Sequence, residues 1–200
     1  MDWEWNENSV LHKISPDITC KELYNAICFE LGRYFSGMGF KYLKSKRMLH
    51  MLVFQDEQIK LEINIKTSRH NMPGKWVAID IFPEFSSIAL KEIGMEGFLF
   101  DEAEIYERNP IKGGSWYLDT YMFNGYEFSE GMFKEIIALI EGKIIPWIDK
   151  IKEKEGVKEI ILRKRAKFAD WSITNRGYGN TVLPEYISLY FPELIKEMGL

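Results

Sequence analysis

The residues of this chain that could do chemistry are few and scattered. Its histidines are His12, His50 and His70, and its cysteines are Cys20 and Cys28. A metal centre needs three or four converging ligands, and short spacings usually announce it. These five residues show no such spacing, so no metal and no cofactor is expected. A nucleophilic cysteine needs surroundings that lower its pKa. Cys20 and Cys28 read instead as small core residues on one helix. They are about 12 Å apart at ~1.5 Å per residue, too far to pair with each other. Carboxylates such as Glu102 and Glu104, with Arg163 or Arg176, would be the first suspects for an acid–base site built from distant positions. Nucleophile elbows, phosphate loops and dinucleotide fingerprints are missing. The run from Arg176 to Asn180 has two glycines of a phosphate loop but lacks the third, and it reads as a turn.

The densest basic run is Arg163-Lys-Arg-Ala-Lys167. A nucleic-acid reading would add Phe168, Trp171 and Tyr178 as stacking groups. The chain carries a net charge of -4, which argues against a dedicated nucleic-acid binder. The run is read as a solvated face, or as a partner for the acidic stretch of Glu92, Glu96, Asp101, Glu102, Glu104 and Glu107.

A more promising surface lies on a strand. Ile59, Leu61, Ile63 and Ile65 alternate with Lys60, Glu62, Asn64 and Lys66. A period of two gives one buried and one wet face. The wet face, joined by Trp76 and Asp80, is the candidate interaction surface: flat, of mixed charge, with an aromatic residue.

The elements that must position these residues follow from pattern. Residues 49–82 read as a three-stranded antiparallel meander, with turn chemistry at 55–58 and at Pro73-Gly74. Thr19 and Glu22 form a capping box ahead of a helix over 20–38. A short helix capped by Ser86 or Ser87 is expected before Ile93. Residues 116–123 read as a strand, with Asn124-Gly125 as its turn. Ser129 caps a second long helix over 129–152, with a kink or break near 142–146 because of Gly142 and Pro146. A last helix begins at Pro184, is interrupted by Pro192 and ends at Gly199. The expected fold is α+β: an antiparallel meander sheet of four to six strands with two long helices on one face. Residues 1–152 form the core domain, and 153–200 are a C-terminal extension packed on it.

Two hundred residues with 46% hydrophobic content suffice for such a core. An aromatic share of 14% exceeds what a minimal core needs, so some rings should line a groove or interface. No apolar run spans a membrane and no secretory signal opens the chain. Two reduced cysteines fit a cytoplasmic protein.

One order of motifs resembles a known type. Gly39-Phe40-Lys41 enters a strand, Gly114-Ser-Trp116-Tyr117 forms a later one, and a helix carries Ile144-Ile-Pro146-Trp147-Ile148-Asp149. Over residues 20–152 this resembles small bacterial α+β proteins of unknown function, some of them similar to immunity proteins, which neutralise toxins by binding them. The resemblance implies a bacterial, non-catalytic module that binds a protein partner, and it brings no active-site residue. The alternative is an enzyme, or a protein acting on nucleic acid, with a site assembled from distant residues.

Overall fold

The computed structural model describes residues 3–45, 49–67, 71–74, 77–100, 105, 120–123, 128–167 and 181–200, with the backbone alone at 120–123 and 167. The fold is α+β around an antiparallel sheet. Strands β1 (Lys41–Lys44), β2 (His50–Gln55), β3 (Ile59–Thr67), β4 (Val77–Ser87) and β5 (Thr120–Phe123) lie in the order β1-β2-β3-β4-β5. Lys41 pairs antiparallel with Val53 at one edge, and Val77 with Phe123 at the other. The helices are α1 (Cys20–Ser36), α2 (Ile88–Glu92), α3 (Glu130–Leu139), α4 (Trp147–Lys152), α5 (Lys154–Lys167), α6 (Leu183–Tyr190) and α7 (Pro192–Met198).

The chain divides into two compact units. The first comprises Met1–Phe54, Glu62–Pro83 and Glu107–Ile140. Its main helix begins as expected: Thr19 Oγ1 accepts from the Glu22 N–H at 3.1 Å, and a Glu22 carboxylate oxygen accepts from the Thr19 N–H at 3.0 Å. Leu23, Ile27, Leu31 and Phe35 recur at helical spacing and are fully buried. Tyr24 donates from its hydroxyl to the Ile65 carbonyl at 2.6 Å, which ties α1 to β3. The N-terminal segment packs down through Trp3 and Trp5. Trp3 lies edge-on to Tyr34 of α1 at 5.3 Å and stacks on Phe133 of α3 at 6.2 Å, and Trp5 stacks on Phe128.

The second unit comprises Gln55–Leu61, Glu84–Tyr106 and Glu141–Leu200. The turn after β2 is held by Asp56, whose Oδ1 accepts from the N–H groups of Gln58 and Ile59, each at 2.9 Å. Tyr186 is buried; its hydroxyl donates to the Ile151 carbonyl at 3.1 Å and accepts from the Gln58 amide at 2.6 Å. The corner between α4 and α5 requires Gly156, because a Cβ there would lie 2.0 Å from the Lys150 carbonyl oxygen. α7 ends on Gly199 at φ +59, a left-handed cap.

The helix over 129–152 breaks where Gly142 and Pro146 predict: α3 passes into a π turn over Ile140–Ile144 and α4 starts after Pro146, because proline cannot supply the N–H that an unbroken helix needs. Two expectations need correction. β4 extends through Pro83 to Ser87, beyond the expected end at Phe82. Among the described residues β5 pairs only with Val77–Asp80, so Pro83 lies past that ladder, where a missing donor is tolerated. Asn64, assigned to the wet face, is 5% exposed. It has a partner within the protein, as a buried carboxamide requires.

Candidate functional site

In the first unit a groove lies between the N-terminal segment and α1. Each wall is fixed by its own hydrogen bonds. Asn6 Oδ1 accepts from the Asn8 N–H at 3.0 Å, and the Asn6 carbonyl accepts from His12 Nε2 at 3.0 Å. The Asn6 N–H donates to Glu30 Oε1 at 3.0 Å. Glu30 is fully buried, and its other oxygen accepts from Arg33 at 2.6 Å, so its charge is paired. Arg33 in turn lies over the Trp3 ring at 4.8 Å. Ser9 caps the 3-10 turn at Val10–His12, and Ser15 Oγ accepts from the Asp17 N–H at 3.2 Å. The groove encloses about 620 Å³. Two large apolar side chains on it stay open to solvent, Phe29 at 47% and Val10 at 43% exposure.

From Asn25 of the groove wall a half-buried polar network extends to β1 and β2. His50 opens β2, and its Nε2 lies 2.9 Å from Asn25 Oδ1 of α1. The Lys44 ammonium donates to the same oxygen at 3.2 Å. A cation faces oxygen, not an amide nitrogen, so Lys44 settles the orientation of the Asn25 carboxamide. His50 Nε2 must then carry the hydrogen and donate, which leaves Nδ1 as an acceptor for the Tyr42 hydroxyl. The chain of donors therefore runs one way, from Tyr42 through His50 to Asn25. Burial first, and the Lys44 charge second, push the His50 pKa down to about 4, so the ring is neutral at pH 7. Burial pushes the Tyr42 hydroxyl up, and likewise the Tyr24 hydroxyl beside it. Cys28 is fully buried and desolvation pushes its thiol up, so it is a protonated core residue.

The residues singled out from sequence go to other places. Lys60, Glu62 and Asp80 are half-buried and, like Asn64, each has a partner within the protein. Lys66 is exposed, with its ammonium 4.2 Å from the centre of the Phe82 ring. Trp76, His70, Glu102, Glu104, Arg176, Phe168, Trp171 and Tyr178 lie outside the described residues, as do 116–119 of the expected strand and its Asn124-Gly125 turn. The basic run is absorbed by the second unit. Arg163 pairs with Glu159 at 2.9 Å, and Arg165 donates to the Met198 carbonyl at 2.7 Å and the Gly199 carbonyl at 3.1 Å. Arg165 thus serves the carbonyl end of α7, where a cation is favoured. Among the described residues no three His, Cys, Asp or Glu side chains group as metal ligands, and no helix is long and apolar enough to cross a membrane.

Sequence reasoning missed Asn6, Asn25, Phe29 and Tyr42. One signal was available: Phe29 falls off the apolar stripe of α1, and an aromatic ring on the polar side of an amphipathic helix points to a contact. Comparison with known proteins finds no matching family model, no matching curated protein and no matching solved structure.

Proposed function

We propose that this protein is a non-catalytic binding module, an immunity or regulatory protein in kind, that holds a protein partner in the groove between its N-terminal segment and α1. The observation that carries this reading is the exposed Phe29, which stands beside Val10 on a groove with hydrogen-bonded walls. Aromatic side chains left in water on a rigid surface are typical anchors of protein interfaces. The polar face of the sheet is the lesser candidate, since Asn64 is buried and Lys60, Glu62 and Asp80 already have partners. In the same reading α1 and α3 lie together on one face of the sheet. Trp3, which touches both helices, and the Tyr24 bond to Ile65 support that placement.

The chemistry favours binding over catalysis. Both ring nitrogens of His50 are engaged and its base form is held by burial. The thiol within the same network is protonated and enclosed. The test is affinity capture from the native host with the wild-type chain and the Phe29→Asp variant side by side. A protein retained by the first and lost from the second supports the reading. Identical captured sets, or no captured protein, would overturn it.

A further inference from the structure

β1 is an end strand of the sheet, and the turn that follows it fixes its hydrogen-bond register. Ser45 donates to the Leu49 carbonyl at 2.8 Å, in line with the neighbouring Lys44–His50 pair. Antiparallel pairs alternate between bonded and non-bonded. The bonded pairs of this ladder are therefore Leu43–Met51 and Lys41–Val53, and Tyr42 and Lys44 turn their N–H and C=O groups away from β2. None of these four groups has a partner among the described residues. The edge is also held in place. The Tyr42 ring packs under Gly32 and its hydroxyl bonds to His50, and the Lys44 ammonium donates to Asn25. Main-chain donors and acceptors at strand spacing are complementary to another extended main chain, and a pre-ordered edge costs less to dock.

The side chains along the edge select the charge of that second chain. From Ser36 to Ser45 the charged residues are Lys41 and Lys44, both exposed, with no acid among them. The flank of α1 that meets β1 adds no charge. Asn25, Phe29, Gly32 and Ser36 recur there at helical spacing, with Asn25 on Lys44 and Gly32 on Tyr42. A second copy of this chain, pairing β1 with β1, would bring lysine against lysine, which a ladder disfavours. Acids on the incoming strand would instead be matched. Leu43 is 47% exposed on the face away from α1, and Phe29 is equally exposed on the α1 flank, so an apolar side chain finds a neighbour on either face.

We infer that the free edge of β1 takes up an acidic, extended segment of a partner protein as an added strand. Tyr42 and Lys44 supply the main-chain bonds, and Lys41 and Lys44 the charge match. This docking edge goes beyond the groove reading and does not rest on it. Lys44→Pro removes one outward N–H and leaves the ladder to β2 whole, which is where an edge strand tolerates proline. Lys44→Gln removes the same charge and keeps the N–H.

The probe is a displayed library of random nonapeptides, panned against the full chain as wild type, Lys41→Glu, Lys44→Gln and Lys44→Pro. Thermal melts of all four check the fold. The inference expects enrichment of peptides with acidic and apolar residues and no central proline, and these peptides should slow hydrogen exchange at the Tyr42 and Lys44 amides. Lys41→Glu and Lys44→Gln should each weaken binding by up to about fivefold. Lys44→Pro should weaken it by about tenfold more than Lys44→Gln. If Lys44→Pro does not fold, exchange in the wild type and the loss in Lys41→Glu decide the matter. Enrichment of basic peptides, no enrichment, unchanged exchange at the two amides, or equal binding by Lys44→Pro and Lys44→Gln would overturn the inference. So would self-association of the chain through this edge, or a single-stranded oligonucleotide bound in place of any peptide. Native-host capture that depends on Phe29, with exchange at Tyr42 and Lys44 unmoved, keeps the groove reading and sinks the edge. The converse result keeps the edge and sinks the groove.

Discussion

Gly32 of α1 lies against the ring of Tyr42 on β1 so closely that a Cβ on the glycine would sit 2.5 Å from Tyr42 Cγ. That contact lets the Tyr42 hydroxyl reach His50 and anchors one end of the network that extends from Asn25. Alanine in an exposed helix interior normally gains ~1 kcal/mol over glycine. Here the ring would have to move and the His50 bond would break. The Gly32→Ala variant should therefore be destabilised by about 1–3 kcal/mol, read as a lowered Tm. A Tm at or above that of the wild type would contradict the assignment.

His50 makes the stability of the first unit depend on pH. Its pKa falls from 6.5 in an open chain to about 4 in the fold. Between those values the unfolded state binds the extra proton, so lowering the pH favours unfolding. The contribution is complete above 6.5, fades as pH falls to about 4, and amounts to at most ~3 kcal/mol. Urea unfolding of the wild type and His50→Gln from pH 7 to 4 isolates it, since glutamine does not titrate. The gap between the two should narrow as pH falls. Parallel curves would show that His50 does not titrate as described.

Much of the backbone plan is legible in the sequence. The Thr19–Glu22 box, the Ser129 cap and the Ile59–Ile65 alternation are local signals, each decided within a few residues. The helices flanking Pro192 follow from the same kind of rule. The site is not local. Asn25, Lys44 and His50 are 19 and 25 residues from one another in the bonds they form, and no spacing rule joins them. Asn64 misleads because alternation reports which side a residue points to, not whether that side is covered. The fate of Arg165 depends on where α7 ends, which only tertiary structure decides.

Gly156 offers a second test of close approach, this time in the other unit. A Cβ at this position would meet the Lys150 backbone, which cannot swing aside as a side chain can. Gly156→Ala should cost more than about 2 kcal/mol. Gly142→Ala is the control, because nothing lies within 4 Å of its would-be Cβ. That variant should be neutral or slightly stabilising. Equal behaviour of the two in thermal melts would contradict the corner geometry.

Asp56 and Lys152 form an ion pair at 2.8 Å, with both side chains 28% exposed. Burial raises the carboxyl pKa, but the Lys152 bond and the Ile59 and Gln58 N–H groups outweigh it, and the net shift is downward. The pair itself should contribute under ~1 kcal/mol. The two backbone bonds to Oδ1 carry more. Asp56→Ala should therefore cost about 1–3 kcal/mol in denaturant unfolding and Lys152→Ala clearly less. Equal losses would assign the weight to the ion pair.

The most direct test of the binding role places a photo-crosslinking amino acid at position 29. The same group goes at position 162, where Leu162 is 54% exposed on α5 and far from the groove residues in sequence. Both chains are irradiated in extracts of the native host. The groove account expects a discrete protein adduct from position 29 and none from position 162. Adducts of equal yield at both positions, or none at position 29, would contradict it.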